Sequence, residues 1–248
     1  MGNALAKYVF PVDGRGRIVN GLGDEVLWVN RPSKLRPHAK KIAVVCFHGN
    51  MEDAAAALRH WNFLDDDTFD LKCYEYPGYG HRYANAASET AINAELPEMI
   101  RQLMSYEAVV VCGRSLGSWA ALRLSVKLGE KCAGLVLVSP MLTALATVMP
   151  YPIHRLFWYM DMLVNETEAP KLGKHVPKVI YHGLNDTVVP LSNGEALAKL
   201  FTPAARITTF DAGHNNTMGM RKFAEEATKT IHGWLEIDES STIKGWRI

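Results

Sequence analysis

Short apolar runs alternate with longer stretches of mixed apolar and polar residues along most of the chain. Two of the runs, Ile42-Ala-Val-Val-Cys-Phe47 and Ala108-Val-Val-Val-Cys112, are rich in β-branched residues and too short for helices, which predicts strands. Because these runs are apolar at nearly every position, they are typical of strands buried on both faces of a parallel sheet. The strands are predicted at residues 26–30, 42–47, 71–76, 108–112, 134–139, 178–182 and 206–210. The helices are predicted at residues 53–64, 88–104, 116–128, 192–200 and 221–236.

This order of elements predicts an α/β fold with a mostly parallel sheet that is covered by helices on both faces. The chain has 248 residues, of which 48% are hydrophobic, so one large core can be buried in a single domain. We expect that domain to span residues 1–248, with an irregular N-terminal segment at 1–25 and a short lid insertion at 141–176.

Charge and cysteine usage narrow the class of protein. A formal net charge of +1 argues against nucleic acid as the main partner. The four cysteines fall singly on or beside predicted core strands or near a helix end, which favours buried thiols in a reducing compartment over a disulfide framework. Lys7, Asp13 and Arg15 leave no apolar stretch for a signal peptide, so we expect a cytoplasmic protein.

The segment Gly113-Arg-Ser-Leu-Gly117 lies between a predicted strand and a predicted helix. A Gly-x-Ser-x-Gly in that setting is the form of a nucleophile elbow, in which the serine occupies a tight, strained turn. Side chains at the two glycine positions would collide with the neighbouring strand and helix. Ser115 is therefore the predicted nucleophile, and the backbone N–H of Leu116 is predicted to face the oxyanion.

An elbow of this kind requires an acid and then a histidine later in the chain. Asp186 follows the predicted strand at 178–182, and His214 follows the strand at 206–210, so both lie at the strand ends where ligands meet such sheets. In this arrangement Ser115 attacks, His214 takes and returns its proton, and Asp186 orients the imidazole. Asp211 competes for the acid role but is so close to His214 that it more plainly shapes the turn. His182, inside its strand, is interpreted as structural.

The oxyanion hole needs a second N–H, expected from the loop after the strand at 42–47. That loop reads His48-Gly-Asn-Met51, and we assign the donor to Asn50, with Met51 as the neighbouring alternative. The His48 ring is expected to pack within the loop. Since no His-Gly-Gly-Gly is present, the lipase and esterase subgroup that carries that motif is disfavoured. Nothing in the pattern calls for a cofactor or a metal ion.

Several motifs in order carry a family resemblance: His48-Gly-Asn-Met-Glu-Asp53, Tyr76-Pro-Gly-Tyr-Gly80, the elbow, His182-Gly-Leu-Asn-Asp186 and Gly213-His-Asn215. Together they resemble the α/β-hydrolase-domain (ABHD) proteins, closest to the branch that contains acyl-protein thioesterases, the protein depalmitoylases. The resemblance runs from about residue 42 to residue 234. It implies an α/β-hydrolase fold, an antiparallel leading strand and a serine hydrolase with an intact triad, and its branch points to S-palmitoyl protein as substrate.

The N-terminus departs from that branch, whose members carry an N-terminal cysteine cluster that is palmitoylated and anchors them. Here the first cysteine is Cys46, inside a predicted strand. Gly2 is a candidate for N-myristoylation after removal of Met1, although Ala6 stands where the motif requires Ser or Thr. A single myristoyl chain gives only marginal membrane binding. An ordinary unmodified terminus is the alternative interpretation.

The predicted lid bears on the substrate. It is long enough for a helix or two but too short for a cap domain, so the site is expected to be open to a bulky partner. Its Met and aromatic residues suit an acyl chain, and Met141, Met149, Phe157 and Trp158 are candidate acyl-binding residues. The competing interpretation is that these side chains only pack the lid onto the sheet. Two other functions stay open: a carboxylesterase or lipase acting on small or glycerolipid esters, and a non-catalytic binding member of the fold.

Overall fold

The structure, a computed structural model, describes residues 27–34, 41–64, 68–84, 86–149 and 153–236. Within them a seven-stranded sheet has the order β1-β3-β2-β4-β5-β6-β7. The strands are β1 (Trp28–Arg31), β2 (Ile42–Phe47), β3 (Phe69–Tyr74), β4 (Ala108–Arg114), β5 (Cys132–Val138), β6 (Lys178–Gly183) and β7 (Arg206–Phe210). β1 pairs antiparallel with β3, and every other pairing is parallel. The predicted mostly parallel sheet with an antiparallel leading strand is therefore confirmed.

In the part of the chain that the structure describes, five α-helices accompany the sheet: α1 (Ala54–His60), α2 (Glu89–Leu103), α3 (Gly117–Leu128), α4 (Leu191–Leu200) and α5 (Arg221–Leu235). Two of them begin at side-chain caps that the sequence contains. Asp53 Oδ1 accepts a hydrogen bond from the Ala56 N–H at 2.6 Å, and Ser88 Oγ accepts one from the Ala91 N–H at 3.1 Å. Such caps satisfy N–H groups that the first helical turn leaves unpaired.

The core lies on both faces of the sheet, because successive residues of β2 point to opposite sides. On one face Ala43, Val45 and Phe47 pack into the same cluster as α2, α3 and α4. On the other face Ile42, Val44 and Cys46 pack with α1 and α5. Helices on both faces bury the whole of β2, which explains why its sequence is apolar at every position.

Five of the seven predicted strands have shifted boundaries; β1 ends at Arg31 rather than residue 30, and β6 ends at Gly183 rather than residue 182. β3 covers Phe69–Tyr74 rather than residues 71–76, because its pairing with β2 starts at Phe69, opposite Ile42, and ends at Tyr74, opposite Phe47. β4 extends to Arg114, two residues beyond the predicted end. β5 starts at Cys132 rather than Gly134, where its register with β4 shifts between Val109 and Val110. These ends depend on pairing between strands, which a local pattern does not contain.

Apart from residues 150–152, which lie outside the described residues, the segment between β5 and β6 contains only short 3-10 helices, at Leu145–Thr147, Ile153–Met160 and Ala169–Lys171. The middle one is kinked at Phe157, whose backbone dihedrals are not helical. Among the described residues, no helix combines the length and the apolar character needed to cross a membrane. The segment at 1–25 and Gly2 lie outside the described residues.

Candidate active site

Ser115 lies directly after β4, in the tight turn that joins this strand to α3. Its φ of +50° is in the left-handed region, which is uncommon for a residue with a side chain and marks a strained backbone. Its N–H donates to the Val138 carbonyl at 2.9 Å, which ties the turn to the end of β5. This geometry is that of the predicted elbow, and it presents the serine at the carboxyl edge of the sheet.

The two glycines of the elbow are required by close packing. A Cβ on Gly113 would lie 2.6 Å from the Ala121 Cβ, and one on Gly117 would overlap the Phe47 carbonyl of β2. Both distances are well inside van der Waals contact, so the strand, the turn and α3 can approach only where side chains are absent. The collision predicted from the sequence is confirmed at both positions.

Asp186 and His214 are brought together by the loops that follow β6 and β7. His214 Nδ1 lies 2.8 Å from Asp186 Oδ2, and the Asp186 side chain is fully buried. The other carboxylate oxygen accepts hydrogen bonds from the Val188 and Val189 N–H groups at 3.0 and 2.8 Å. Every polar contact of this carboxylate therefore favours its ionised form.

These contacts decide the protonation state of Asp186. Burial alone raises the pKa of the carboxyl, but hydrogen bonds with His182, His214 and the Val189 N–H outweigh it and hold the pKa well below its usual range. At neutral pH the Asp186 carboxylate is ionised, so it can hold His214 with Nδ1 protonated and leave Nε2 free to accept a proton.

The other two candidates for the acid and the base, Asp211 and His182, make different contacts. Asp211 Oδ1 accepts from the Asn185 side-chain amide at 2.7 Å, which links the two loops, so this carboxylate shapes the turn as the sequence predicts. His182 is fully buried, with Nε2 2.9 Å from the Val189 carbonyl and 3.5 Å from Asp186 Oδ2. His182 therefore packs against Asp186 inside the protein, which agrees with the prediction that it is a structural residue.

The residue before Ser115, Arg114, joins the elbow to the loop that carries His214. Arg114 Nη2 lies 3.4 Å from the His214 carbonyl and 2.7 Å from Asn215 Oδ1, so the elbow contacts the histidine loop directly. No hydrogen bond between Ser115 Oγ and His214 occurs in the part of the chain that the structure describes. Catalytic hydrogen bonds are often loose without substrate and tighten in the reacting complex.

The loop after β2 is the expected source of the second oxyanion donor. Met51 has a φ of +58°, and its N–H is used by Asn50 Oδ1 at 3.0 Å. By contrast, the backbone N–H groups of Asn50 and Leu116 take part in no hydrogen bond formed among the described residues. An oxyanion hole requires two N–H groups that are free to donate to the substrate oxygen, and the N–H groups of Asn50 and Leu116 meet that condition. The geometry thus favours Asn50 over Met51.

Contacts with two tyrosines hold Asn50 and its loop in place. The Tyr79 hydroxyl donates to Asn50 Oδ1 at 2.8 Å, and the Tyr76 hydroxyl donates to the His48 carbonyl at 3.0 Å. The ring of His48 packs 4.3 Å from that of Tyr76, centroid to centroid. The expectation that His48 packs within its loop is confirmed.

Sequence reasoning missed a buried carboxylate beneath this loop. Glu75 is fully buried, with Oε1 3.0 Å from His48 Nε2 and Oε2 accepting from the Ala54 N–H at 3.1 Å. His81 Nδ1 lies 3.8 Å from the same carboxylate. A charged residue between two aromatic residues, Tyr74 and Tyr76, directly after β3 was the signal in the sequence. Its contacts anchor the oxyanion loop to the sheet.

The four candidate acyl-binding residues lie in different surroundings. Met141 is buried in the core beside α3, and Met149 lines a cavity of about 270 Å³ together with Leu142 and Pro190. Phe157 and Trp158 are on the surface, where Trp158 is 75% exposed. The competing interpretation, that all of them pack the lid onto the sheet, is therefore wrong for Trp158. The described residues contain no group of His, Cys, Asp and Glu side chains suited to hold a metal ion.

The chain is similar in sequence to a known protein family. The model of a family described as alpha/beta hydrolase fold matches residues 42–178. No curated protein is similar enough in sequence to count as a match.

Solved structures with a similar fold are numerous, and three are representative. TT1662 from Thermus thermophilus has a TM-score of 0.61 at 20% identity, over 84% of this chain and 93% of that one. The monoacylglycerol lipase of Paleococcus ferrophilus has a TM-score of 0.57 at 16% identity, over 85% and 98%. The esterase EaEST from Exiguobacterium antarcticum has a TM-score of 0.59 at 18% identity, over 84% of this chain and 94% of that one. At these identities the likeness shows a common fold.

Proposed function

Since the chain belongs to the α/β-hydrolase fold family, we propose that it is a serine hydrolase that cleaves acyl thioesters or esters through an acyl-enzyme. The observation that carries this proposal is the strained Ser115 at the end of β4 together with the 2.8 Å hydrogen bond between His214 and Asp186. A nucleophile elbow and an oriented imidazole are the two parts that such a reaction needs.

In the proposed reaction Ser115 Oγ attacks the acyl carbon while His214 Nε2 takes the hydroxyl proton. The negative charge that develops on the carbonyl oxygen is stabilised by the N–H groups of Asn50 and Leu116. Collapse of this tetrahedral species breaks the bond to the leaving group, which departs as thiol or alcohol with the proton from His214. Water then attacks the acyl-Ser115 ester by the same steps and releases the carboxylic acid.

The same machinery serves both kinds of bond. A thiolate, from a thiol with a pKa of about 8.5, leaves with little need for protonation, whereas an alkoxide requires the proton from His214. Amide bonds are harder to cleave, and we do not assign them to this site. The choice between thioester and ester therefore depends on the partner that reaches Ser115.

We propose S-palmitoyl protein as the substrate class. The motif resemblance to depalmitoylases supports it, and so does the apolar surface of Ile153–Met160, where Leu156 is 74% exposed and Trp158 75% exposed. Covering about eight methylenes of a palmitoyl chain with such side chains would contribute about 6 kcal/mol before the cost of ordering the chain. The absence of a cap domain among the described residues of the lid leaves room for a protein carrying the acyl group.

A lipid or small-molecule ester is the second candidate. It is favoured by the fold neighbours, whose names identify a monoacylglycerol lipase and several esterases. We propose that the protein is cytoplasmic; a palmitoylated protein or a glycerolipid would present its acyl group at a membrane, whereas a small-molecule ester would reach the site from solution. Myristoylation of Gly2 would add a weak peripheral contact.

Labelling with a fluorophosphonate probe tests the reaction and the substrate class together. The probe should label the wild type and Ser105→Ala, in which an exposed serine is changed, but not Ser115→Ala. Protection by a palmitoyl-thioester peptide at lower concentrations than by a short-chain ester or a monoacylglycerol would support the depalmitoylase. Protection by the ester or the monoacylglycerol alone would move the assignment to an esterase or lipase. An unlabelled but folded wild type would leave the non-catalytic alternative.

A further inference from the structure

Arg114, the second residue of the elbow, forms a bridge between the two loops that flank Ser115. Its side chain is only 8% exposed. One end of the guanidinium pairs with Glu52 in the loop after β2, and the other end donates to Asn215 Oδ1 at 2.7 Å and contacts the His214 carbonyl at 3.4 Å. A planar guanidinium with several fixed donors is suited to hold two partners at once.

Glu52 extends the bridge to the oxyanion loop. Its second oxygen, Oε2, accepts from the Gly49 N–H at 2.9 Å, so the carboxylate ties Arg114 to the backbone just before Asn50. Although burial raises the pKa of Glu52, the charge of Arg114 and the Gly49 N–H lower it more, and the carboxylate is ionised at neutral pH. Gly49 leaves room for this contact, since a Cβ there would be 3.2 Å from Arg114 Nη1.

We propose that Arg114 is a positioning residue that sets the histidine loop (residues 212–216) and the oxyanion loop (residues 48–53) at their working separation around Ser115. Glu52 neutralises its charge beside His214. This inference rests on the proposed function, because it assigns Arg114 a role in the reaction of Ser115 and His214. Arg114 acts through Glu52 on the oxyanion side, and through the Asn215 side chain and the His214 carbonyl on the other side.

The charge of the bridge matters as much as its geometry. The reaction protonates His214, and an uncompensated guanidinium against the same residue would oppose that protonation. The titratable groups that face the bridge are Glu52, His60 at 3.6 Å from Glu52, and His48 on the oxyanion side, with Asp186 and His182 behind His214. Removing one member of the Arg114–Glu52 pair should therefore shift the pH profile of kcat/KM. The direction of the shift depends on whether the positive or the negative charge remains.

The test measures kcat, KM and the pH profile of kcat/KM for a short-chain p-nitrophenyl ester. Glu52→Gln leaves the positive charge of Arg114 uncompensated, which opposes protonation of His214. The acid limb of the profile, where kcat/KM falls as the pH is lowered, should therefore move to lower pH by about half a unit. Arg114→Gln leaves Glu52 uncompensated, and the limb should move to higher pH. A structural defect alone would not give shifts of opposite sign.

Two milder variants isolate the geometry. Asn215→Ala removes one anchor of the histidine loop at an exposed position, and Arg114→Lys keeps the charge but cannot bridge both loops. Each should lower kcat by about tenfold with little change in KM and with the acid limb unmoved. Glu98→Gln, in the exposed Glu98–Arg101 pair of α2, is the matched control and should behave like the wild type.

Wild-type kcat in both Asn215→Ala and Arg114→Lys would overturn the positioning role. Shifts of the same sign in Glu52→Gln and Arg114→Gln, or no shift in either, would overturn the electrostatic part. If Arg114→Gln fails to fold, Glu52→Gln and the two milder variants still decide the question. Undiminished hydrolysis by Ser115→Ala is a different result, because it would remove the proposed reaction and not the bridge alone.

Discussion

His214 Nδ1 and Asp186 Oδ2 lie 2.8 Å apart, although 28 positions separate the two residues in the chain. The contact forms because β6 and β7 are adjacent and parallel, so that the loops at their carboxyl ends meet. Two backbone N–H groups hold the other carboxylate oxygen, so they orient Asp186 and stabilise its ionised form.

Replacing Asp186 with Asn should therefore lower kcat by roughly ten-thousand-fold while leaving the fold intact. An amide can donate to Nδ1, which would favour the imidazole tautomer with the proton on Nε2, where it cannot accept the proton of Ser115. Steady-state hydrolysis of a short-chain ester at neutral pH measures the effect. Asp211→Asn is the matched control and should keep most of the activity. Equal losses in the two variants would argue against Asp186 as the orienting acid.

Asp186 should also make stability depend on pH. Its folded-state pKa is lowered, so its contribution is fully present above the unfolded-state pKa of about 3.9 and is lost as the pH falls through the folded value. The free energy of unfolding of the wild type should exceed that of Asp186→Asn by something on the order of 2 kcal/mol at pH 6. Urea denaturation at a series of pH values should show this difference shrinking below pH about 4. A difference that stays constant down to pH about 3 would contradict the assignment.

Replacing two glycines with alanine should have opposite effects on the free energy of unfolding, because one glycine is closely packed and the other has open space around it. Gly117→Ala places a methyl group against the Phe47 carbonyl, so it should destabilise the fold by roughly 2 kcal/mol and abolish labelling of Ser115. Gly233, inside α5, has nothing within 4 Å of the position of an added Cβ. Gly233→Ala should raise the free energy of unfolding by about 0.5–1 kcal/mol, because alanine is the better helix former. Thermal or urea unfolding of the two variants decides whether the elbow is as tightly packed as the contacts indicate.

Trp158 should matter for the acyl chain and hardly at all for stability. Trp158→Ala should change the free energy of unfolding by less than about 0.5 kcal/mol, since the side chain is 75% exposed. It should lower kcat/KM for a palmitoyl-thioester peptide roughly tenfold and that for a butyryl ester less than about twofold. Met104→Ala, also at an exposed apolar residue but just before β4 at the opposite edge of the sheet, is the control. Equal effects on both acyl lengths would show that Ile153–Met160 does not hold the chain.

The sequence by itself determined the elements of the fold and the order of the chemical groups. The apolar run at β2 and the Gly-x-Ser-x-Gly at 113–117 are patterns of a few consecutive residues, and each records one physical requirement: burial on both faces of the sheet, and close approach of the turn to β2 and α3. Parallel pairing then brings the ends of β4, β6 and β7 to one edge, which is why Ser115, Asp186 and His214 could be predicted before any contact was known.

Only the tertiary structure decided which side chains meet around that edge. Arg114 and Glu52 are 62 positions apart, and Arg114 and Asn215 are 101 positions apart, so no local periodicity records that they form one bridge. The choice of Asn50 over Met51 likewise depends on a single hydrogen bond within a loop. Such contacts follow from side-chain packing at the junction of several elements, where small differences in loop geometry decide which charged and polar groups find a partner.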